Sequence, residues 1–266
     1  MRFALPLGLS VVALLAVSAP TFAAGTDARP VKDVAFSFEG PFGTYDRAAL
    51  QRGFQVYKEV CSACHSLNRV SFHALADEGG PGFTEAQAKA IAASYKIPAE
   101  PNDQGQTVDE NGERLTRPGI LADHFPPPFP NENAARAANG GALPPDLSLV
   151  AKSFHHGPQF IYSILTGFHE KPPAGSKVQD GKYYNPYFPG GNISMPPPLS
   201  EDSVTYSDGT KATIEQEAHD VTTFLAWAAE PKMEQRKRMG FGVMAFLIVL
   251  SGLLFLSYRK VWADAH

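Results

Sequence analysis

Cysteine is almost absent from this chain, and that scarcity narrows the classes of protein it can belong to. Only two of the 266 residues are cysteine, which excludes a disulfide-rich scaffold and a protein with several thiolate-held iron–sulfur or zinc centres. The chain also lacks an excess of basic residues. Its formal net charge is -4, so nucleic-acid binding is not expected. With 44% hydrophobic and 19% charged residues, the composition is typical of folded domains.

Glycine and proline, at 23 residues each, predict long irregular segments, which we place at residues 98–130 and 170–213. Outside these segments, apolar periodicity and capping residues predict helices, and therefore a mainly α fold. The predicted helices cover residues 46–60, 84–96, 133–139, 158–167 and 212–229.

The N-terminus has the pattern of an export signal. Arg2 precedes an apolar stretch at residues 7–17, and small residues follow up to Ala24. The apolar stretch is too short to span a bilayer, which favours a cleaved signal peptide over residues 1–24. An uncleaved anchor is the alternative.

A second apolar run, residues 239–257, lies near the C-terminus and contains no charged residue. About 19 residues suffice for a helix to cross a hydrocarbon core of ~30 Å, so we expect a transmembrane anchor in residues 232–266. Four basic residues precede the run and two follow it. The positive-inside rule would place the preceding side in the cytoplasm, but the signal peptide acts first and long domains are translocated largely regardless of charge. We therefore expect residues 25–231 to form an exported domain.

The expected exported domain is acidic, with 16 basic and 25 acidic residues, which favours basic partners. The segment 100–113 contains five acidic residues and no lysine or arginine. It is either a solvated loop or part of a docking surface for a basic protein.

Both cysteines lie in one motif, Cys61-Ser62-Ala63-Cys64-His65, the attachment signature of c-type haem. Two thiols at this spacing fit the two vinyl groups of a porphyrin, and the adjacent histidine then serves as an axial ligand of the iron. A dithiol redox pair would need a βαβ context that the sequence does not show. A structural zinc site would need a fourth ligand.

A second axial ligand can be sought among the five methionines. Met1 belongs to the signal, and three others lie in or beside the apolar C-terminal run. Met195 remains, on a proline-rich loop that begins at Asn192. Histidine/methionine ligation would raise the potential of the haem and leave no open position for a substrate, which favours electron transfer over peroxidase chemistry. The alternative is ligation by a second histidine. The candidates are His73, His124, His155, His156, His169 and His219.

Several motifs resemble those of the cytochrome c1 family, the membrane-anchored haem subunits of cytochrome bc1 complexes. They are Phe38-Glu39-Gly40-Pro41-Phe42-Gly43, Cys61 to His65, Arg117-Pro118-Gly119, Ala134-Ala135-Arg136-Ala137-Ala138-Asn139, Gly141-Ala142-Leu143-Pro144-Pro145-Asp146-Leu147-Ser148, Tyr184-Asn185-Pro186-Tyr187-Phe188-Pro189-Gly190, Met195-Pro196-Pro197-Pro198-Leu199 and Trp227-Ala228-Ala229-Glu230-Pro231. The resemblance covers nearly the whole chain after the signal.

The resemblance implies a class I cytochrome c domain with long loop insertions plus one C-terminal transmembrane helix. It implies one covalent haem c on Cys61 and Cys64, with His65 and Met195 as axial ligands and Arg136 at a haem propionate. Electrons would come from a Rieske iron–sulfur protein and leave to a cytochrome c, with cytochrome b beside the anchor in a bacterial cytoplasmic membrane. The chain alone would then not be a complete catalyst. A free-standing tethered cytochrome that delivers electrons to an oxidase is the alternative.

Overall fold

The computed structural model describes residues 28–174 and 177–263, so the signal peptide predicted over residues 1–24 lies outside the described residues. The helices are α1 (Arg47–Glu59), α2 (Glu85–Ala93), α3 (Glu132–Ala138), α4 (Val150–Ser153), α5 (Gly157–Gly167), α6 (Ile214–Ala229) and α7 (Met233–Val261). The short strands are β1 (Lys96–Pro98), β2 (Thr116–Pro118), β3 (Tyr183–Tyr184) and β4 (Asn192–Ile193), paired antiparallel as β1–β2 and β3–β4. The predicted mainly helical fold is confirmed.

The core of the domain forms where α1 packs against α6. The apolar face predicted for α1, formed by Leu50, Phe54 and Tyr57, is buried. The two helices approach most closely at Gly53, where an added Cβ would lie 2.0 Å from the carbonyl oxygen of Asp220. Since no larger residue fits this gap, glycine sets the distance between the helices.

A buried ion pair joins the same two helices. Arg52 donates to both carboxylate oxygens of Asp220, at 2.8 Å from Nε and 3.0 Å from Nη2. The Asp220 side chain is fully buried and that of Arg52 is 15% exposed. A buried carboxylate without this partner would be strongly unfavourable, so the pair fixes how α6 sits against α1.

The helix ends follow local capping chemistry. Asp46 accepts hydrogen bonds from the backbone of Ala48 and Ala49, and Thr84 forms a capping box with Gln87. One prediction was too long, because α2 ends at Ala93 and not at residue 96. The chain leaves the helix there so that Ile97 can pair with Arg117 in the β1–β2 ladder. Strand β2 lies within the segment 98–130, and β3 and β4 lie within 170–213, so the prediction that these segments are irregular was wrong at these residues.

Helix α7 contains the apolar run predicted at residues 239–257 and begins six residues before it. Within the described residues it is the one helix long and apolar enough to cross a membrane. Its first turns are hydrogen-bonded to the domain that contains the Cys61–His65 motif. The Glu234 carboxylate accepts from Tyr45 N at 2.8 Å and from Arg47 Nη2 at 2.6 Å, while Lys237 Nζ donates to the carbonyls of Phe38 and Gly43 at 2.8 and 2.9 Å. These bonds therefore fix the first turns of α7 to the domain at several points.

Candidate functional site

The Cys61–His65 motif forms a tight turn directly after α1. Cys61–Ala63 is a 3-10 helix, and the carbonyl of Cys61 accepts from the backbone N–H groups of Cys64 and His65 at 3.1 and 2.9 Å. Tyr57, which is buried in the core, donates from its hydroxyl to the carbonyl of His65 at 3.3 Å. The core helix thus fixes the position of the motif.

The two thiols are free and differ in environment. Cys61 packs against the hydrophobic core, whereas Cys64 is exposed. Burial, and to a smaller extent the neighbouring Cys64, raise the pKa of Cys61 to about 12. Nucleophilic thiols need an activated thiolate with a lowered pKa, so Cys61 is not such a nucleophile.

The His65 ring is oriented by one backbone carbonyl. Its Nδ1 lies 2.8 Å from the carbonyl oxygen of Pro145, which accepts the Nδ1 proton and leaves the Nε2 lone pair free. Burial lowers the pKa of His65, although the hydrogen bond to Pro145 and the charge of Asp146 act in the opposite direction. A neutral imidazole held through one nitrogen is the arrangement that metal-ligating histidines require of their surroundings.

Asp146 connects the loop that holds Pro145 to the haem motif. Its carboxylate accepts from Ser66 Oγ at 2.8 Å, from Asn68 N at 2.9 Å and from Ser148 N at 2.9 Å. The backbone of Leu147 also donates to the carbonyl of Ser66 at 2.9 Å. These bonds hold the Pro145 carbonyl against His65. No role of Asp146 was predicted from the sequence, although aspartate commonly accepts a hydrogen bond from the backbone two residues on, as it does here from Ser148 N.

The loop that bears Met195 follows the β3–β4 hairpin and is anchored to α5. Buried Asn185 donates to the carbonyl of Ile164 in α5 at 2.7 Å and accepts from the backbone of Tyr187 at 3.1 Å. Met195 is half-buried, and Leu199 after the proline run is buried. No role of Asn185 could be predicted from the sequence, because its burial depends on the packing of the hairpin against α5.

Most of the alternative histidine ligands lie on the surface. His73, His124, His155, His156 and His169 are exposed. The half-buried ring of His219 stacks on Phe36 with 4.8 Å between ring centroids.

Arg136 is exposed on α3 and lies beside the segment that leads to Pro145. Its Nη1 approaches the carbonyl of Gly141 at 3.3 Å, and Gly141 N donates to the Arg136 carbonyl at 2.8 Å. No ion pair of Arg136 occurs among the residues that the structure describes.

Two free thiols on one turn and a neutral, oriented imidazole directly after them are the groups that covalent attachment of haem c requires. Together with α7, they define the class: a membrane-anchored c-type cytochrome. Comparison with known proteins gives the family. A model of the Cytochrome C1 family matches residues 36–265, so the chain belongs to the cytochrome c1 family, in which covalent haem c is expected.

Individual relatives agree with the family match. The chain is 47% identical to "Cytochrome c1" of Rhodospirillum rubrum over 244 residues, 86% of each chain. It is 50% identical to "Cytochrome c1, heme protein, mitochondrial" of Kluyveromyces lactis over 227 residues, 85% of this chain and 72% of the relative. It is also 51% identical to "Cytochrome b/c1" of Bradyrhizobium diazoefficiens over 249 residues, 87% of this chain but 35% of that longer relative. This chain therefore spans only about a third of the Bradyrhizobium protein.

Proposed function

We propose that this chain passes single electrons from a Rieske iron–sulfur protein to a cytochrome c, as the haem subunit of a quinol-oxidising complex that also contains cytochrome b. Cys61 and Cys64 would hold the haem covalently, with His65 and Met195 as axial ligands and Arg136 at a propionate. The observation that carries the proposal is the His65 imidazole, kept neutral and fixed through Nδ1 by the Pro145 carbonyl.

Haem c bound at this site supplies a one-electron redox centre. The protein groups supply rigidity: the Cys61 turn is fixed by α1, the imidazole by Pro145 and Asp146, and the Met195 loop by prolines and Asn185. Because both axial positions would be filled, no site remains for oxygen or peroxide. Ligands that do not rearrange suit electron transfer, since little reorganisation accompanies each change of charge.

The covalent attachment can be tested on the denatured full chain. We expect a pyridine haemochrome spectrum that stays with the polypeptide after acid–acetone extraction, and its loss when both cysteines are replaced by alanine. A colourless chain after extraction would overturn the assignment of Cys61 and Cys64.

The ligand assignment is tested by Met195→Leu, with Met239→Leu on the exposed face of α7 as the matched control. Loss of the thioether ligand is expected to lower the midpoint potential by more than ~60 mV, a factor of ten in the one-electron equilibrium. It is also expected to let carbon monoxide bind the reduced protein. An unchanged potential with no carbon monoxide binding would show that another residue, such as one of the histidines, is the ligand.

The location that we propose is a bacterial cytoplasmic membrane, crossed once by α7, with the haem domain in the periplasm. By the positive-inside rule, the four basic residues before the apolar run oppose this orientation. Two of them have a local structural role, since Arg236 pairs with Glu230 at 2.5 Å and Lys237 binds two backbone carbonyls. Their role in attaching α7 to the domain supports the orientation given by the predicted signal peptide.

The remaining candidate is a free-standing tethered cytochrome that serves an oxidase. Purification in mild detergent distinguishes the two. Co-purification of a b-type haem and an iron–sulfur protein in fixed proportion is expected for the complex. Isolation of this chain alone, with full electron-carrier activity, would favour the tethered carrier.

A further inference from the structure

The junction between the haem domain and α7 exposes a large aromatic residue that the domain does not use in its own core. Phe42, at the tip of the loop formed by residues 40–44, is 80% exposed. Its ring stacks on Phe241 of α7, with centroids 5.1 Å apart and planes inclined by 9°. The loop is held in place beneath it, because Lys237 binds the Gly43 carbonyl. The loop therefore holds Phe42 in a fixed position.

The position of Phe42 along α7 coincides with one end of the apolar run. The run begins at residue 239, and a helix rises 1.5 Å per residue, so Phe241 lies ~3 Å inside the run. The aromatic pair of Tyr258 and Trp262, with ring centroids 6.3 Å apart, marks the other end. Tryptophan and tyrosine concentrate at the boundaries between hydrocarbon and headgroups, so Tyr258 and Trp262 mark one boundary. Phe42, stacked on Phe241, lies at the opposite end of the apolar run, on the side of the haem motif.

A cationic group lies beside this aromatic pair. Arg238 lines, with Pro41, Phe42 and Phe241, a shallow cavity of about 250 Å³ between the loop and α7. Two other charged residues line it, but Glu234 is paired with Arg47 and Lys237 binds backbone carbonyls. Within the described ranges Arg238 has no ion pair, in contrast to Arg236, and it is exposed. It lies one residue before the apolar run, so its Cα is ~1.5 Å outside the hydrocarbon boundary along the helix axis. From there its long side chain can extend its guanidinium to the level of the lipid phosphates.

We propose that residues 40–44 and the first turns of α7 form a phospholipid-binding surface, in which Phe42 inserts at the hydrocarbon boundary and Arg238 binds a lipid phosphate. The surface is continuous with the apolar face of α7, and its unpaired positive charge is complementary to the phosphate. The haem domain thereby contacts the bilayer at a second point beside its helix, which fixes its tilt relative to the membrane.

The first test places a photoreactive benzophenone amino acid at position 42 of the full chain, in membranes that contain the assembled protein. Irradiation is expected to give an adduct of the chain with phospholipid, identified by mass. The control carries the same group at Val108, which is exposed on the 100–113 segment, and is expected to give none. A position-42 adduct with another polypeptide, or no lipid adduct above the control, would overturn the proposal.

The second test addresses the phosphate contact. Arg238→Gln in the benzophenone background is expected to reduce the yield of the lipid adduct at least threefold, whereas Arg114→Gln, a change on the exposed segment, should leave it unaltered. The haem spectrum of each variant shows whether the protein has folded. An Arg238→Gln protein with a normal spectrum and an unchanged adduct yield would refute the role of Arg238.

Discussion

Replacing Asp146 with alanine should weaken both the fold and the ligand environment of His65. The change removes the acceptor of three hydrogen bonds. Bonds to a charged acceptor contribute about 1.5–3 kcal/mol each. Asn68 N is at an exposed position and can bind water instead, so two bonds remain to be counted, from Ser66 and Ser148. The free energy of unfolding should fall by about 3 kcal/mol, the lower end of that range for two bonds.

The assay is thermal unfolding of the haem-containing full chain in detergent. For a protein of this size, ~3 kcal/mol corresponds to a decrease in Tm of ~6–12 °C. Asp103→Ala, in the exposed 100–113 segment, is the control and should change Tm little. A decrease of less than ~2 °C for Asp146→Ala would refute the conclusion that this carboxylate holds the Pro145 loop against the haem motif.

The pH dependence gives an independent check of the same residue. Burial acts to raise the pKa of Asp146, but hydrogen bonds from Ser148, Asn68 and Ser66 together lower it below its ordinary value. A depressed folded-state pKa contributes stability above the unfolded pKa, ~3.9, and that contribution is lost as the pH falls through the folded pKa. The difference in Tm between the parent protein and Asp146→Ala should therefore be full at pH 7 and shrink below about pH 4.

Three further predictions concern the helix core and the acidic segment. Gly53→Ala must push α1 away from the Asp220 carbonyl, so the free energy of unfolding should fall by ~1–3 kcal/mol and Tm should decrease. Gly240→Ala is the control, because a Cβ there meets no atom within 4 Å, and it should leave Tm unchanged. Arg52→Leu leaves a buried carboxylate unpaired and should cost about 3–5 kcal/mol; chemical denaturation measures this, and a cost below ~1 kcal/mol would contradict it. Residues 100–114 are all exposed. Replacing the acidic residues within 100–113 with lysine should slow the reduction of a basic cytochrome c and remove much of the salt dependence of that rate. Identical rates at low and high salt in the parent protein would instead indicate a solvated loop.

Several features of this structure can be predicted from short stretches of sequence. The helix limits at Asp46 and Thr84 depend on side-chain caps that bond to the next few backbone N–H groups, and such local chemistry can be read directly. The apolar run of α7 and the C-x-x-C-H motif are likewise patterns of neighbouring residues. Even there, the end of α2 was predicted three residues too late, because the pairing of Ile97 with Arg117 involves residues 20 positions apart.

Periodicity and spacing within a few turns specify the helical class, the membrane-length anchor and the residue types available to hold a haem. The contacts that orient those residues depend on tertiary structure. The Pro145 carbonyl reaches His65 across 80 residues, Asn185 fixes the Met195 hairpin to α5, and Lys237 binds a loop nearly 200 residues earlier in the chain. Hydrogen bonds and burial between distant segments exist only once the core of α1 and α6 has formed, so no local pattern could have specified them.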